Sequence, residues 1–104
     1  MCGLFGFHLE HHARRATVRT LTGMLMALND HRGGDSWGFY SPDRDLTRKG
    51  LGTAVTMGRA DFLLAASCRT LVGHTRYATT GAKTVENAHP FDVGDIVGAH
   101  NGVV

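Results

Sequence analysis

The length of this chain, 104 residues, is the feature that most constrains its fold. At this size folding buries on the order of 65% of the unfolded chain's surface, which is enough for one hydrophobic core. Because domains most often contain about 100 to 150 residues, the length predicts a single domain at residues 1–104. Apolar residues make up 42% of the chain and charged residues 19%, a composition typical of a folded globular protein and too apolar for disorder.

Charge and apolar patterning argue against two classes of partner. Eleven basic and nine acidic residues give a net charge of +2, and the basic residues are scattered, so we expect no nucleic-acid partner. The longest apolar run, residues 62–66, is far shorter than the roughly 18 residues that a membrane span needs. The start also lacks a basic segment followed by an apolar one. We therefore expect a cytoplasmic protein that has no membrane partner.

The spacing of apolar residues and turn formers predicts a mixed α+β domain. Val18, Leu21, Leu25 and Leu28 follow the period of an amphipathic helix over residues 17–30. A turn-rich segment at 41–45 predicts a hairpin between its flanking strands. The predicted strands are 3–9, 36–40, 46–49, 51–57, 70–74 and 96–99, with a second short helix at 61–67 and an ordered loop at 80–90.

Two cysteines, Cys2 and Cys68, are too few for a disulfide framework and lie outside any CxxC pair. If Met1 is removed, Cys2 becomes the amino-terminal residue and carries both a thiol and a free amine. With an ordinary pKa of about 7.7 to 8.0, that amine can accept the thiol proton near neutral pH. Cys2 is thus a candidate nucleophile that brings its own base. By position alone, Cys2 as merely a small second residue is the more common case.

Two polar segments are candidates for substrate contacts. Arg76 follows a predicted strand among hydroxyl residues, where a guanidinium suits a planar carboxylate, although a structural ion pair is an equal alternative. Asn101 and Gly102 form a dipeptide that ordinarily makes a tight turn. An Asn amide and a neighbouring backbone N–H can also stabilise an oxyanion.

Five ordered segments together resemble the glutaminase domain of class II glutamine amidotransferases, which are N-terminal-nucleophile hydrolases. Hexosamine-phosphate synthases and amidophosphoribosyltransferases have the most similar motifs. The resemblance runs from residue 2 to residue 104 and implies an αββα sandwich. The segments are Met-Cys-Gly-Leu-Phe-Gly at 1–6, Arg-Gly-Gly-Asp-Ser-Trp-Gly at 32–38, Gly-His-Thr-Arg-Tyr-Ala-Thr-Thr-Gly at 73–81, Asn-Ala-His-Pro-Phe at 87–91 and Ala-His-Asn-Gly at 99–102.

The resemblance implies a catalytic role for three residues. Cys2 would attack the side-chain amide of L-glutamine, form a thioester and release ammonia, and water would then release glutamate. Asn101 and Gly102 would supply the oxyanion hole. Ammonia would pass to an acceptor, the synthase domain or subunit, and the reaction would need neither cofactor nor metal.

The resemblance also implies binding and supporting residues. Arg76 would bind the α-carboxylate of glutamine with Thr79 close by, and Arg32 and Asp35 would support the site. Two departures stand beside these expectations: Thr80 stands where some members have His, and the α-amine-binding carboxylate of the family lies beyond the last residue of this sequence. The chain is therefore expected to be the amino-terminal portion of such a domain, prone to self-association.

Two other interpretations of the sequence stay open. The first is a truncated or relic module that binds glutamine or a protein partner without catalysis. The second uses histidines as metal ligands, with His8, His11 and His12 in one group and His89 and His100 in another. Zinc sites usually show tighter Cys and His pairing than this, so we expect hydrogen-bonded or solvated histidines.

Overall fold

The computed structural model describes residues 2–10, 13–77, 84–93 and 96–99, and within 91–93 only the backbone. These residues form an α+β fold in which helices pack on an antiparallel sheet, as the sequence predicts. Two 3-10 turns, Ala54–Thr56 and Val85–Asn87, interrupt the loops. In chain order the elements are β1 (Gly3–His8), α1 (Arg15–Asp30), β2 (Ser36–Ser41), β3 (Leu46–Leu51), α2 (Arg59–Ala66), β4 (Thr70–Arg76), β5 (Phe91–Val93) and β6 (Ile96–Gly98).

The main sheet has the order β1-β4-β2-β3, with every neighbouring pair antiparallel. β2 and β3 form the predicted hairpin, in which Ser41 is paired with Leu46. β4 lies between β1 and β2, with Thr75 paired to Gly3 on one side and Arg76 paired to Ser36 on the other. The first residues of β1 and β2 therefore lie beside the last residues of β4, at the same end of the sheet.

The hydrophobic core lies between α1, α2 and one face of this sheet. Trp37 and Phe39 stack on that face with ring centroids 6.3 Å apart. Cys68 is fully buried in the same core. The buried members of the cluster are Met26, Trp37, Phe39, Ala54, Ala65, Cys68 and Leu71, and Phe5 and Phe7 pack against it.

The helix α1 is confirmed, and its predicted apolar stripe is right at Val18 but wrong at Leu21 and Leu28. The helix buries Val18, Thr22 and Met26, while Leu21 and Leu28 are exposed. The Thr22 hydroxyl donates to the Val18 carbonyl at 2.7 Å, so this polar side chain enters the core with its hydrogen bond satisfied. A reading based on apolar residues alone could not place Thr22 in the core.

The predicted strand at 51–57 is also wrong, because the chain makes a 3-10 turn at Ala54–Thr56. The carboxylate of Asp30, the last residue of α1, accepts hydrogen bonds from Ala54 N at 2.7 Å and Val55 N at 3.0 Å. These bonds satisfy two N–H groups that a strand would have donated to a neighbour.

The strand β5 was not predicted, whereas the predicted strand at 96–99 corresponds to β6. In the part of the chain that the structure describes, no helix has the length and apolar character to cross a membrane.

Candidate functional site

Cys2 and Arg76 lie at the end of the sheet where β1 begins and β4 finishes. Because Gly3 is paired with Thr75, extending the antiparallel register by one residue sets Cys2 opposite Arg76. Both residues are 8% exposed, so both are nearly covered by protein. The fold thus brings together the predicted nucleophile and the predicted carboxylate-binding residue, which are far apart in sequence.

The backbone of Tyr77 makes two contacts with the sulfur of Cys2. The Tyr77 N–H donates to Cys2 Sγ at 3.4 Å, and the thiol lies 3.7 Å from the Tyr77 carbonyl oxygen. The two contacts fix the position of the Cys2 sulfur beside the end of β4. Sequence reasoning missed this contact, since a backbone group gives no signal in the residue type.

The loop between α1 and β2 holds the backbone of both Cys2 and Arg76 at this end of the sheet. Arg32 Nε donates to the Cys2 carbonyl oxygen at 3.1 Å, and Asp35 N donates to the Arg76 carbonyl oxygen at 3.0 Å. Gly33 lies so close to β4 that an added Cβ would be 2.6 Å from the Thr75 carbonyl oxygen. The two predicted supporting residues, Arg32 and Asp35, therefore contact the backbone of Cys2 and Arg76 respectively.

The face of the sheet opposite the helices carries the side chains around Arg76. Thr75 Oγ1 donates to Asn29 O of α1 at 2.8 Å, so the alternation of β4 directs its neighbours His74 and Arg76 to the other face. His89, from the fourth sequence segment, stacks on His74 with ring centroids 4.0 Å apart. This stacking packs the segment before β5 onto the face that carries Arg76.

Ser36 lies beside Arg76 on the same face of the sheet, as its cross-strand partner. Its hydroxyl is buried and has no hydrogen-bond partner among the described residues. Sequence reasoning missed Ser36 too, although it belongs to the second motif segment. The pairing of β2 with β4, which no local pattern shows, is what brings it to the site.

Three of the predicted site residues, Thr79, Asn101 and Gly102, lie outside the described residues. So do three of the candidate metal-ligating histidines, His11, His12 and His100. The ring of His8 is hydrogen-bonded to Thr70 Oγ1 at 2.7 Å. Among the residues that the structure describes, no group of three His, Cys, Asp or Glu side chains is placed to hold a metal ion.

The described part of the site combines a buried thiol, a backbone N–H directed at its sulfur and a nearly buried guanidinium on the next strand. A thiolate attacks an electrophilic carbonyl carbon, and a guanidinium binds a carboxylate through two parallel hydrogen bonds. The arrangement can therefore hold a small carboxylate-bearing substrate beside a nucleophile.

Comparison with curated proteins identifies similar chains that extend well beyond this one in length. The amidophosphoribosyltransferase of Archaeoglobus fulgidus is 38% identical over 108 aligned positions, which cover 98% of this chain and 23% of the relative. The glutamine-fructose-6-phosphate aminotransferase (isomerizing) of Chlamydia caviae is 36% identical over 114 aligned positions, which cover all of this chain and 17% of the relative. The enzyme of the same name from Streptococcus mutans is 34% identical, with the same two coverages.

The chain spans between 17% and 23% of the length of these relatives. No protein-family model matches the chain. No solved structure matches it either.

Proposed function

Because essentially the whole chain is homologous to class II glutamine amidotransferases, we propose that it performs the glutaminase half-reaction of that family. The observation that carries the proposal is the placement of Cys2. A backbone N–H donates to its sulfur, and the nearly buried Arg76 lies opposite it on the neighbouring strand. The substrate is L-glutamine, whose α-carboxylate binds Arg76 while its side-chain amide lies at Cys2. Thr79 contributes to the same binding site.

In the proposed reaction Met1 is removed and the amine of Cys2 takes the proton of its thiol. The sulfur then forms a bond to the carboxamide carbon of glutamine, and the negative charge on the oxygen is stabilised by Asn101 and Gly102. The C–N bond breaks, and the proton returns to the leaving nitrogen, which departs as ammonia. Water adds to the thioester, releases glutamate and restores the thiol.

The fold supports the further proposal that residues 1–104 are part of an αββα sandwich of the N-terminal-nucleophile type. The described residues supply one helix layer, one four-stranded sheet and a separate two-stranded sheet of β5 and β6. On the face of the sheet opposite the helices, Leu4 is 46% exposed and Val72 is 41% exposed. Exposed apolar side chains at these two positions are suited to packing against a second sheet.

The names of the relatives describe enzymes that transfer an amino or phosphoribosyl group. We propose that this chain likewise passes its ammonia to an acceptor domain or subunit, and that it does so in the cytoplasm. Arg32 and Asp35 act as positioning residues in this scheme, since they hold the backbone of Cys2 and of Arg76.

Covalent labelling tests the proposal directly. A glutamine analogue with an electrophilic carbonyl is expected to modify Cys2, in a peptide that begins at Cys2 because Met1 has been removed. Cys68 is a built-in control, since it is a fully buried thiol in the same chain. Peptide mass spectrometry locates the label, and free L-glutamine is expected to slow its incorporation.

Three outcomes would contradict the proposed reaction. Labelling confined to Cys68 would exclude Cys2 as the nucleophile. Retention of Met1 on the purified protein would remove the free amine that the reaction needs as its base. Glutamine binding without labelling or glutamate release would favour a non-catalytic glutamine-binding module.

A further inference from the structure

Ser36 places a buried hydroxyl on the face of the sheet that carries Arg76. Its strand neighbour Trp37 packs in the core beside the helices, so the alternation of β2 directs Ser36 to the opposite face, next to its cross-strand partner Arg76. Ser36 is 1% exposed, and its hydroxyl has no hydrogen-bond partner among the residues that the structure describes. Because buried hydroxyl groups are normally hydrogen-bonded, an unpartnered one beside a candidate site points to a ligand as its partner.

Cys2, Arg76 and Ser36 form a row across β1, β4 and β2, with Cys2 one residue before β1. A Cβ added at Gly3 would meet a side chain of α1, so Gly3 faces the helices and its neighbour Cys2 faces the other side. We call these three residues the site row. Beyond Ser36 the next strand supplies Leu51, which is apolar, so Ser36 is the last polar residue in that direction.

The length of glutamine matches the length of the site row. Adjacent strands lie about 4.8 Å apart, so Arg76 is one strand spacing from Cys2 and Ser36 is two, or roughly 10 Å. During attack the sulfur is about 3 to 3.5 Å from the carboxamide carbon, and four C–C bonds in an extended chain place the α-carboxylate carbon about 5 Å further on. A glutamine that extends from Cys2 past Arg76 therefore has its carboxylate between Arg76 and Ser36.

A carboxylate can accept hydrogen bonds from both of these side chains. The guanidinium of Arg76 supplies two parallel N–H donors, whereas the two carboxylate oxygens accept about four hydrogen bonds. The hydroxyl of Ser36 can donate to one of the remaining lone pairs, and a hydrogen bond to a charged group is stronger than one between neutral groups. Since all three residues of the site row are more than nine-tenths buried, water competes little for these donors.

From the unpartnered hydroxyl, the site row and the length of the substrate, we propose that Ser36 is a further substrate-binding residue. Its hydroxyl donates a hydrogen bond to the α-carboxylate of glutamine beside Arg76. The inference rests on the proposed function, because the placement of glutamine at Cys2 and Arg76 sets the direction in which the substrate extends. Ser36 thereby favours ligands that carry a carboxylate at this distance from the reacting carbon.

Labelling of Cys2 by the chloromethyl ketone analogue of L-glutamine, which carries the α-carboxylate, tests this contact. Peptide mass spectrometry follows the labelled fraction with time at a series of analogue concentrations. In Ser36→Ala the concentration that gives half the maximal labelling rate is expected to rise about tenfold or more, while the maximal rate changes much less, because a ground-state contact is lost. Ser41→Ala is the matched control: Ser41 is a fully buried serine on the same strand, and its hydroxyl donates to Asp43 at 2.6 Å, so both labelling constants stay unchanged.

Iodoacetamide has no carboxylate and shows whether a variant keeps Cys2 reactive. Ser36→Ala and the unmodified chain are expected to react with it at Cys2 at the same rate. An unchanged half-maximal concentration in Ser36→Ala, or equal slowing with both reagents, would overturn the Ser36 contact and leave the proposed function standing. Absence of analogue labelling at Cys2 in the unmodified chain would overturn the proposed function, and the Ser36 contact with it.

Discussion

Arg76 is a cation that the fold keeps 8% exposed at the end of β4. A guanidinium presents parallel N–H donors that match the two oxygens of a carboxylate. Its strand neighbours place it between Cys2, the residue before β1, and Ser36 on β2. At the scale of single residues, this position supports Arg76 as the contact of the substrate carboxylate.

Replacing Arg76 with Lys keeps the charge but removes the planar pair of donors. We expect Arg76→Lys to weaken glutamine binding about tenfold or more, with kcat for glutamate release changed much less, because a ground-state contact is lost. Isothermal titration calorimetry gives the affinity and initial rates give kcat. Arg48→Lys is the control, since Arg48 is an exposed residue paired with Asp61 at 3.5 Å. Unchanged glutamine affinity in Arg76→Lys would exclude the assignment.

At the scale of elements, the end of α1 packs unusually close to the start of β1. A Cβ added at Gly3 would lie 2.5 Å from Asn29 Oδ1 and 2.5 Å from Thr75 Oγ1. These two atoms belong to the helix and to the neighbouring strand, and Thr75 is itself hydrogen-bonded to Asn29 O. Gly3, the residue after Cys2, therefore lies where α1 and β4 leave no space for a side chain.

Gly3→Ala is expected to lower the free energy of unfolding by about 1 to 3 kcal/mol, because the added methyl group forces the end of α1 away from the sheet. Urea denaturation measures the change. Gly58→Ala is the matched control, because a Cβ at Gly58 would have no atom within 4 Å. Equal stability of the two variants would show that α1 can move at little cost.

The sequence predicts elements well where local residues determine them and poorly where distant residues do. The β2–β3 hairpin and the span of α1 follow from a turn segment and a helical period, both of which are local. The turn at Ala54–Thr56 depends on the carboxylate of Asp30, which is distant in sequence. The composition of the segment around the turn gave no sign of that cap.

At the scale of the whole molecule, the same distinction applies to the candidate site. Cys2 and Arg76 are candidates from residue type within a family motif, and their catalytic and binding roles are likewise predictions. The contacts of Tyr77 and Ser36 depend on how β1, β4 and β2 pair, so they became visible only in the folded chain. The predicted roles of Asn101, Gly102 and Thr79 stay predictions, since these residues lie outside the described part.

Asp43 links the two halves of the main sheet. Its carboxylate accepts hydrogen bonds from Ser41 Oγ at 2.6 Å in the β2–β3 turn and from the backbone N–H groups of Arg69 at 3.1 Å and Thr70 at 2.9 Å, where β4 begins. The small loss of hydration at this exposed carboxyl raises its pKa, but the hydrogen bonds together outweigh that effect and lower its pKa from 3.8 to about 2.

A lowered pKa in the folded state means that the ionised carboxylate of Asp43 stabilises the fold above the unfolded-state value of 3.8. That stabilisation is lost as the pH falls through the folded-state value of about 2. We expect Asp43→Asn to reduce the free energy of unfolding at pH 7 by about 1 kcal/mol, a modest figure because the carboxylate is exposed. The deficit relative to the unmodified chain should shrink between pH 4 and pH 2, where that chain loses the same interaction. Urea denaturation across this pH range measures the deficit, with Asp45→Asn as the control in the same turn. A deficit independent of pH would exclude the charge of Asp43 as the source of the stabilisation.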